Sequence, residues 1–256
     1  MAQHDNVPPM CPVDSGPPMT PEDVVRRAMA LDAPLAEQLA ALAAGIRQLH
    51  PPASAAYDDL VARLEACGVG TAAPRVGEPM PRFVLPDQDG HLVSLESLLR
   101  NGPLVVSFNR GHWCGYCRLE SRALAQVQDK ISEIGAGLVS IVPERAEFTR
   151  QFRRSNGLDF PVLCDVDLGY ALTLGLAMML SEDVARHYHE AGTDLARFQG
   201  NLGKMLPVPA TFVVGADGLI KARYVDPDFR RRMAVEDILA SLKALQGTTV
   251  SASPHR

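Results

Sequence analysis

FNRGHWCGYC, residues 108–117, joins the end of an apolar run to the beginning of a helical pattern. The run Leu104–Phe108 is typical of a strand that is buried on both faces of a sheet, and residues 115–134 repeat apolar side chains at helical spacing. A buried strand followed at once by a helix is the first half of a βαβ unit. The order therefore places Cys114 and Cys117 where the helix begins.

Two cysteines in a CxxC pattern at a helix start are a candidate dithiol redox pair. Thiolate is the reactive form of cysteine, and a helix N-terminus stabilises negative charge. Two intervening residues allow one helical turn to bring the sulfurs of Cys114 and Cys117 within bonding distance. Arg110 adds permanent positive charge nearby, and His112 adds charge when it is protonated, which lowers a thiol pKa. The pair is therefore predicted to hold a thiolate near neutral pH.

Metal-binding interpretations of the same residue types are weaker. A CxxC is half of many zinc sites, but no second CxxC occurs in the chain. His187 and His189 form an HxH pattern, yet a helix would direct the two rings to different faces. The sequence therefore favours a redox pair and predicts no metal and no other cofactor.

Strands and helices alternate across the rest of residues 76–246. A hairpin is expected near residues 83–95, and the predicted elements after the βαβ unit are a helix at 146–156, a strand at 160–164, a helix at 168–176, strands at 211–214 and 219–225, and a helix at 235–245. Residues 177–206 form a long insertion that we expect to shape access to the site. The order predicts an α/β fold with a mixed central sheet and helices on both faces.

The chain ends differ in composition from this region. Residues 1–19 are rich in proline and polar residues and predict a mobile tail, and residues 247–256 predict a second tail. Residues 20–75 predict a helical appendage, which starts with Thr20 as N-cap and Pro21 at the first helical position. Pro34 and the prolines at 51–52 interrupt the helical pattern.

Composition excludes several function classes. The 256 residues carry a net charge of −5, which gives no reason to expect a nucleic-acid partner. The apolar stretch around residues 29–46 contains charged residues and predicts an amphipathic helix rather than a membrane span. Five cysteines without a recognisable signal peptide predict a reducing, cytoplasmic location.

From Val76 to about Leu245 the sequence resembles the peroxiredoxins of the AhpC/TSA family, in particular peroxiredoxin-like members that have a CxxC. Besides the active-site segment, VGEP at 76–79, FPVL at 160–163 and PATFVV at 209–214 carry the resemblance. It implies a thioredoxin-like fold and thiol-dependent reduction of hydrogen peroxide or organic hydroperoxides. In that chemistry a thiolate becomes a sulfenic acid, a CxxC disulfide forms, and thioredoxin or another thiol donor reduces it.

The resemblance also suggests roles for single residues. An ungapped count from the strand end places Cys117 on the peroxidatic cysteine and Glu120 on the glutamate that follows it in the family. Cys114 then falls on the family's threonine, Arg110 on its proline, and Pro209 on the arginine of a later strand. We therefore expect Cys117 to attack peroxide and Cys114 to resolve the intermediate, although thioredoxins use the first cysteine of the pair.

Two further segments support this reading of the site. Val208–Pro209 resembles the cis-proline of thioredoxin folds, so a cis peptide is predicted beside the CxxC. Trp113, next to Cys114, completes a sequence that is similar to redox-active CxxC segments. Residues 226–232 resemble a stretch found in the CxxC branch and are expected to form a solvated, salt-bridged connection.

Other functions and assemblies remain open at this point. The chain could be a protein thiol-disulfide oxidoreductase, or a redox sensor whose disulfide changes the docking of residues 20–70. A homodimer is a further expectation, in which Cys11 of the tail could reach another subunit. Peroxide turnover with a thiol donor separates the first interpretation from the other two.

Overall fold

The computed structural model describes residues 19–249, with side chains for residues 19–246. Its helices are α1 (Pro21–Met29), α2 (Leu35–Leu49), α3 (Pro51–Ala66), α4 (Leu95–Leu99), α5 (Gly115–Glu133), α6 (Ala146–Asn156), α7 (Gly169–Thr173), α8 (Glu182–Glu190), α9 (Leu195–Gln199) and α10 (Val235–Thr249). Its strands are β1 (Val84–Pro86), β2 (Leu92–Ser94), β3 (Leu104–Phe108), β4 (Gly137–Val142), β5 (Val162–Cys164), β6 (Ala177–Met179), β7 (Met205–Pro207), β8 (Ala210–Val214) and β9 (Ile220–Val225). Most of both predicted tails, with Cys11, lies outside the described residues.

A five-stranded mixed sheet forms the centre of the fold, with the strand order β5-β4-β3-β8-β9. Strand β3 pairs in parallel with β4 and antiparallel with β8, and every residue of β3 and β8 is buried. Both faces of the sheet centre are therefore covered, as predicted for an α/β fold. The register sets Ser107 of β3 between Ser140 and Thr211. Three hydroxyl side chains thus occur side by side in an otherwise apolar sheet.

The insertion begins and ends in a small antiparallel sheet formed by β6 and β7, with α8 and α9 between them. From Pro207 the chain passes directly into β8, and the Val208 N–H donates a hydrogen bond to the Leu176 carbonyl at 2.6 Å. No cis peptide occurs among residues 19–249, so the predicted cis bond at Val208–Pro209 is wrong. Trans is the ordinary form of an X–Pro bond, and a proline at the start of a strand does not by itself require the cis form.

The N-terminal helices pack against the helix that carries the CxxC. Thr20 caps α1 in a reciprocal capping box with Asp23, as its sequence position predicts. Glu22 of α1 forms a two-bond ion pair with Arg118 of α5, at 2.7 and 2.9 Å. A Cβ atom on Gly115 would lie 3.2 Å from Leu42 of α2. This close approach explains why a glycine starts α5.

The predicted element boundaries differ from the observed ones mainly at helix ends. The prolines at 51–52, predicted to interrupt the helical pattern, begin helix α3, because proline at the first helical position needs no N–H partner. Helix α10 continues to Thr249, beyond the predicted end at residue 245. Within residues 19–249, no helix is long and apolar enough to cross a membrane.

Candidate active site

The CxxC pair lies at the first turn of α5. Cys114 is the N-cap residue of that helix, and the sulfur of Cys117 lies 3.0 Å from its sulfur. The sulfur of Cys117 also accepts a hydrogen bond from the Arg110 backbone N–H at 3.3 Å. Both side chains are buried, and both are free thiols in this structure. The two sulfurs are thus already adjacent, as the spacing predicted.

Arg232, from the segment between β9 and α10, reaches the same pair from 115 residues further along the chain. Its Nη2 donates to the Cys117 sulfur at 3.4 Å, and its Nε donates to Glu120 Oε2 at 2.6 Å. The side chains of Arg232 and Glu120 are 1% and 3% exposed. The expectation that residues 226–232 form a solvated connection is therefore wrong for Arg232, which packs into the core beside Cys117.

The hydroxyls of the central sheet complete the surroundings of Glu120. Ser107 and Thr211 donate to Glu120 Oε1 at 3.2 and 3.3 Å. The side-chain amide of Asn109 donates to Ser107 and to Ser140, both at 2.9 Å. Burial raises the pKa of Glu120, while Arg232 and these hydroxyls favour its carboxylate form. A connected polar network thus lies below the thiol pair.

Opposing effects act on the two thiols. Burial by itself would raise both pKa values. At Cys114 the hydrogen bond from Cys117 and the charges of Arg110 and Arg232 outweigh burial and lower the pKa to about 5. At Cys117, burial and the neighbouring Cys114 raise the pKa well above its usual value, although Arg232 and Arg110 oppose this. The pair therefore releases one proton easily and holds the second.

Arg110 is a buried cation held among aromatic rings. Its guanidinium carbon lies 4.0 Å from the ring centre of Phe229, 5.1 Å from that of Trp113 and 5.5 Å from that of Tyr188. Its Nη2 donates to the Tyr188 hydroxyl, whereas its Nε and Nη1 have no hydrogen bond to the described residues. Cys114 is among the groups that stabilise the charged guanidinium. Arg110 thus supplies positive charge at the pair.

His112 contacts a carboxylate that sequence analysis did not identify. The backbone N–H of His112 donates to Glu144 Oε2 at 2.9 Å, and its Nδ1 lies 2.8 Å from Glu144 Oε1. Phe148 stacks on the imidazole at 5.2 Å, and Phe198 meets it edge-on at 4.7 Å. Gly111, at φ +138°, leaves room for the Glu144 carboxyl. The ring is therefore fixed by contacts on several sides.

A cavity of about 420 Å³ opens onto Cys114. Its wall contains, among others, Val25, Leu42, Tyr57, Arg110, His112, Trp113, Cys114, Tyr116, Tyr188, Thr193, Phe198 and Phe229. The N-terminal helices form one side of the cavity, and the insertion forms another. Cys117 is not part of the wall and is 0% exposed. Cys114 is 2% exposed and is part of the wall, so a molecule in the cavity contacts Cys114 and not Cys117.

The structure brings most of the predicted site residues together. The sulfurs of Cys114 and Cys117 lie side by side, and the Arg110 backbone contacts the Cys117 sulfur. Glu120 belongs to the polar network formed with Arg232, and His112 and Trp113 line the cavity. Pro209 is buried and lies just before β8, whose first residue pairs with Phe108. It therefore flanks the strand end from which the active-site loop starts.

Arg232, Glu144 and Tyr188 were missed as site residues. The position of Glu144 directly after a parallel strand that neighbours β3 was a usable signal, because such strand ends meet at one edge of a sheet. Among the described residues, no group of three or more cysteine, histidine or acidic side chains is placed to hold a metal ion.

Comparison with known families gives a match over most of the α/β region. The model of the AhpC/TSA family matches residues 76–223, more than half of the chain. A putative peroxiredoxin of Mycobacterium tuberculosis is 24% identical over 173 residues, which cover 67% of this chain and 98% of that protein. Peroxiredoxin Bcp of Escherichia coli is 28% identical over 93 residues, 36% of this chain and 59% of Bcp.

Solved structures share the same fold. The crystal structure of peroxidoxin BcpB from Mycobacterium tuberculosis matches with a TM-score of 0.53 and 23% identity, covering 67% of this chain and 97% of that chain. Enterococcus faecalis AhpC matches with a TM-score of 0.53 and 16% identity, covering 71% and 98%. These similarities confirm the predicted thioredoxin-like fold, and helices α1–α3 form the predicted N-terminal helical extension.

Proposed function

This chain belongs to the AhpC/TSA family, and from that premise we propose that it is an oxidoreductase that reduces hydrogen peroxide or organic hydroperoxides with its thiol pair. The observation that carries the proposal is the pair itself. The sulfurs of Cys114 and Cys117 lie 3.0 Å apart at the start of α5, beside two buried arginines, and Cys114 lines a cavity. A thiolate, a partner thiol and access for a small substrate are thus assembled in one place.

In the first step the thiolate of Cys114 attacks the peroxide. Cys114 lines the cavity, and its pKa is lowered, whereas Cys117 is sealed behind it with a raised pKa. A sulfur–oxygen bond forms, the oxygen–oxygen bond breaks, and Cys114 becomes a sulfenic acid. The geometry thus favours the order used by thioredoxins over the one that the count from the strand end favoured.

The second step forms the disulfide, and Cys117 becomes easier to deprotonate once Cys114 has lost its negative charge. While Cys114 carries a negative charge, that charge helps to raise the Cys117 pKa. A sulfenic acid is neutral, so this effect disappears, while Arg232 and the Arg110 N–H still stabilise a Cys117 thiolate. Cys117 gives up its proton and attacks the sulfenic sulfur, the sulfur–oxygen bond breaks, and the hydroxyl leaves as water with that proton. Arg232 thus acts as a positioning residue for the resolving thiol.

A thiol donor such as thioredoxin would return the disulfide to the dithiol by exchange. We propose a cytoplasmic location for this cycle, since a reducing compartment keeps the pair ready to react. The insertion would decide which hydroperoxides enter, because Tyr188, Thr193 and Phe198 line the cavity. A homodimer and the division into a helical appendage at residues 20–75 and a thioredoxin-like domain at residues 76–246 remain predictions.

Steady-state turnover tests the function. Wild-type protein with a thioredoxin system should consume hydrogen peroxide or an organic hydroperoxide, and Cys114→Ser/Cys117→Ser should not. Cys67→Ser is the matched control, because Cys67 is an exposed cysteine outside the cavity wall. Reduction of insulin disulfides without peroxide consumption would instead identify a thiol-disulfide oxidoreductase. Stoichiometric oxidation without turnover would identify a redox sensor.

A further inference from the structure

The proposed first step needs a proton that the thiol pair cannot supply. Attack on a hydroperoxide expels hydroxide or an alkoxide, and these strong bases leave faster when an acid protonates them as the oxygen–oxygen bond breaks. The attacking thiolate has already lost its proton. Arginine does not release one in proteins, so Arg110 is not the acid.

Most other groups in the cavity wall are also unsuited to this role. Burial raises the pKa values of the three tyrosines in the wall, so they hold their protons more tightly than tyrosine in water. Glu22 has a lowered pKa because its carboxylate is bonded to Arg118. The remaining titratable residue in the wall, apart from Cys114, is His112.

The contacts of His112 are those of an oriented acid. Glu144 holds its Nδ1 at 2.8 Å and its backbone N–H at 2.9 Å, while Phe148 and Phe198 fix the ring plane. Nε2 points away from the carboxylate and has no hydrogen bond to any residue that the structure describes. Because His112 also lines the cavity, Nε2 is the ring atom available to a substrate.

Glu144 is a suitable partner for a protonated His112. Its side chain is 1% exposed, and burial raises its pKa, while the two bonds from His112 oppose the shift. Cys114 is close enough to contribute to that pKa as well. The carboxyl therefore lies in the electrostatic field of the reacting sulfur and compensates an imidazolium beside it.

Resting on the proposed peroxidase function, we infer that His112 is the general acid of the first step and that Glu144 is its positioning residue. The Cys114 thiolate attacks the terminal oxygen of the hydroperoxide, the oxygen–oxygen bond breaks, and the leaving oxygen takes the proton from His112 Nε2. Sulfur is oxidised by two electrons, and the peroxide is reduced by two. The products are the Cys114 sulfenic acid, an alcohol or water, and neutral His112.

The test uses peroxides that differ in leaving group. Hydrogen peroxide and tert-butyl hydroperoxide expel strong bases, whereas peracetic acid expels acetate, which needs no protonation. His112→Asn keeps a side-chain donor near the Nδ1 position but has no titratable group. His91→Asn is the matched control, because His91 forms the same kind of pair with Asp87 at 3.4 Å on the surface. Single-turnover oxidation is followed by the fluorescence of the single tryptophan, Trp113, next to Cys114.

We expect His112→Asn to lose about a hundredfold in rate with hydrogen peroxide and tert-butyl hydroperoxide. Its rate with peracetic acid should fall far less when all rates are compared at a pH where Cys114 is fully ionised in both proteins. Equal losses with all three peroxides, or no loss, would overturn the assignment. A wild-type protein that reacts with none of them would instead remove the proposed function.

Two further measurements keep the test decisive if His112→Asn does not fold. Glu144→Gln should show the same dependence on leaving group with a smaller loss, because its neutral amide cannot compensate an imidazolium. Wild-type protein should react more slowly in heavy water with hydrogen peroxide but not with peracetic acid. A solvent isotope effect that is the same for both peroxides contradicts proton transfer from a general acid to the leaving oxygen.

Discussion

Replacing Arg232 by methionine should destabilise the reduced protein strongly, because it removes the only cation that contacts Glu120 among the described residues. The two side chains are 1% and 3% exposed, and their ion pair is 2.6 Å long. Breaking such a buried pair from one side leaves an uncompensated charge and costs about 3–5 kcal/mol. A domain is stable by only about 5–15 kcal/mol, so the loss is readily measured. Ser107 and Thr211 remain as neutral donors and compensate only in part.

The pH dependence of this loss gives a second, independent check. Burial already raises the folded-state pKa of Glu120, and removal of Arg232 should raise it further. A carboxyl whose folded pKa is raised favours folding when it is protonated, so the variant should lose stability as pH rises above the ordinary value of 4.5. At lower pH the difference from wild type should shrink.

Urea unfolding at neutral and at acidic pH measures both effects. Glu120→Gln/Arg232→Met, which removes both charges, should recover much of the stability that Arg232→Met loses. Arg231→Met is the matched control, because Arg231 is 63% exposed and its loss should cost less than about 1 kcal/mol. A loss below about 1 kcal/mol for Arg232→Met, or a double variant that is no more stable than Arg232→Met, would show that Glu120 does not depend on Arg232 for its charge.

Three further predictions follow from contacts around the site. Gly111→Ala would place a Cβ atom 2.6 Å from the Glu144 carboxyl carbon at a residue whose φ is +138°. Urea unfolding should therefore show a loss of about 1–3 kcal/mol in the free energy of unfolding. Gly90→Ala is the control and should lose less, because φ is +89° there and no atom lies within 4 Å of the added Cβ. Leu42→Ala should cost about 2–5 kcal/mol by the same measurement if the N-terminal helices are part of the core, and almost nothing if they are independent. The rate of Cys114 alkylation by iodoacetamide should fall as pH drops through about 5, and Arg110→Met should move the midpoint of this fall to higher pH. An unchanged midpoint would contradict the role of the Arg110 guanidinium in lowering the Cys114 pKa.

Local patterns were sufficient to predict the framework of the site. The buried run before Cys114 and the helical spacing after it are properties of adjacent residues, and the structure has β3, α5 and β4 in that order. The same holds for the helix start at Thr20, because a capping box is formed within four residues. Sequence periodicity and capping chemistry therefore carried these predictions.

Long-range contacts could not be predicted in this way. Arg232 is one of three consecutive arginines, and only the folded chain distinguishes it, since it is buried against Glu120 while Arg231 faces solvent. Glu144 is an intermediate case: it contacts His112 because β3 and β4 end at the same edge of the sheet, which the predicted βαβ order indicates but local patterns do not. The cis prediction at Pro209 failed for a related reason. A sequence resemblance does not fix the isomer of an X–Pro bond, because cis and trans differ by only about 0.5–1 kcal/mol.

The most direct test of the proposed mechanism is to determine which of the two cysteines reacts first with peroxide. Cys114→Ser and Cys117→Ser proteins, each reduced and then given a stoichiometric dose of hydrogen peroxide, can be analysed by mass spectrometry after sulfenic-acid trapping. If Cys114 attacks first, a sulfenic acid should form on Cys114 of the Cys117→Ser protein as fast as wild type is oxidised, and the Cys114→Ser protein should hardly be oxidised. Rapid sulfenic acid on Cys117 of the Cys114→Ser protein, with an inert Cys117→Ser protein, would contradict it.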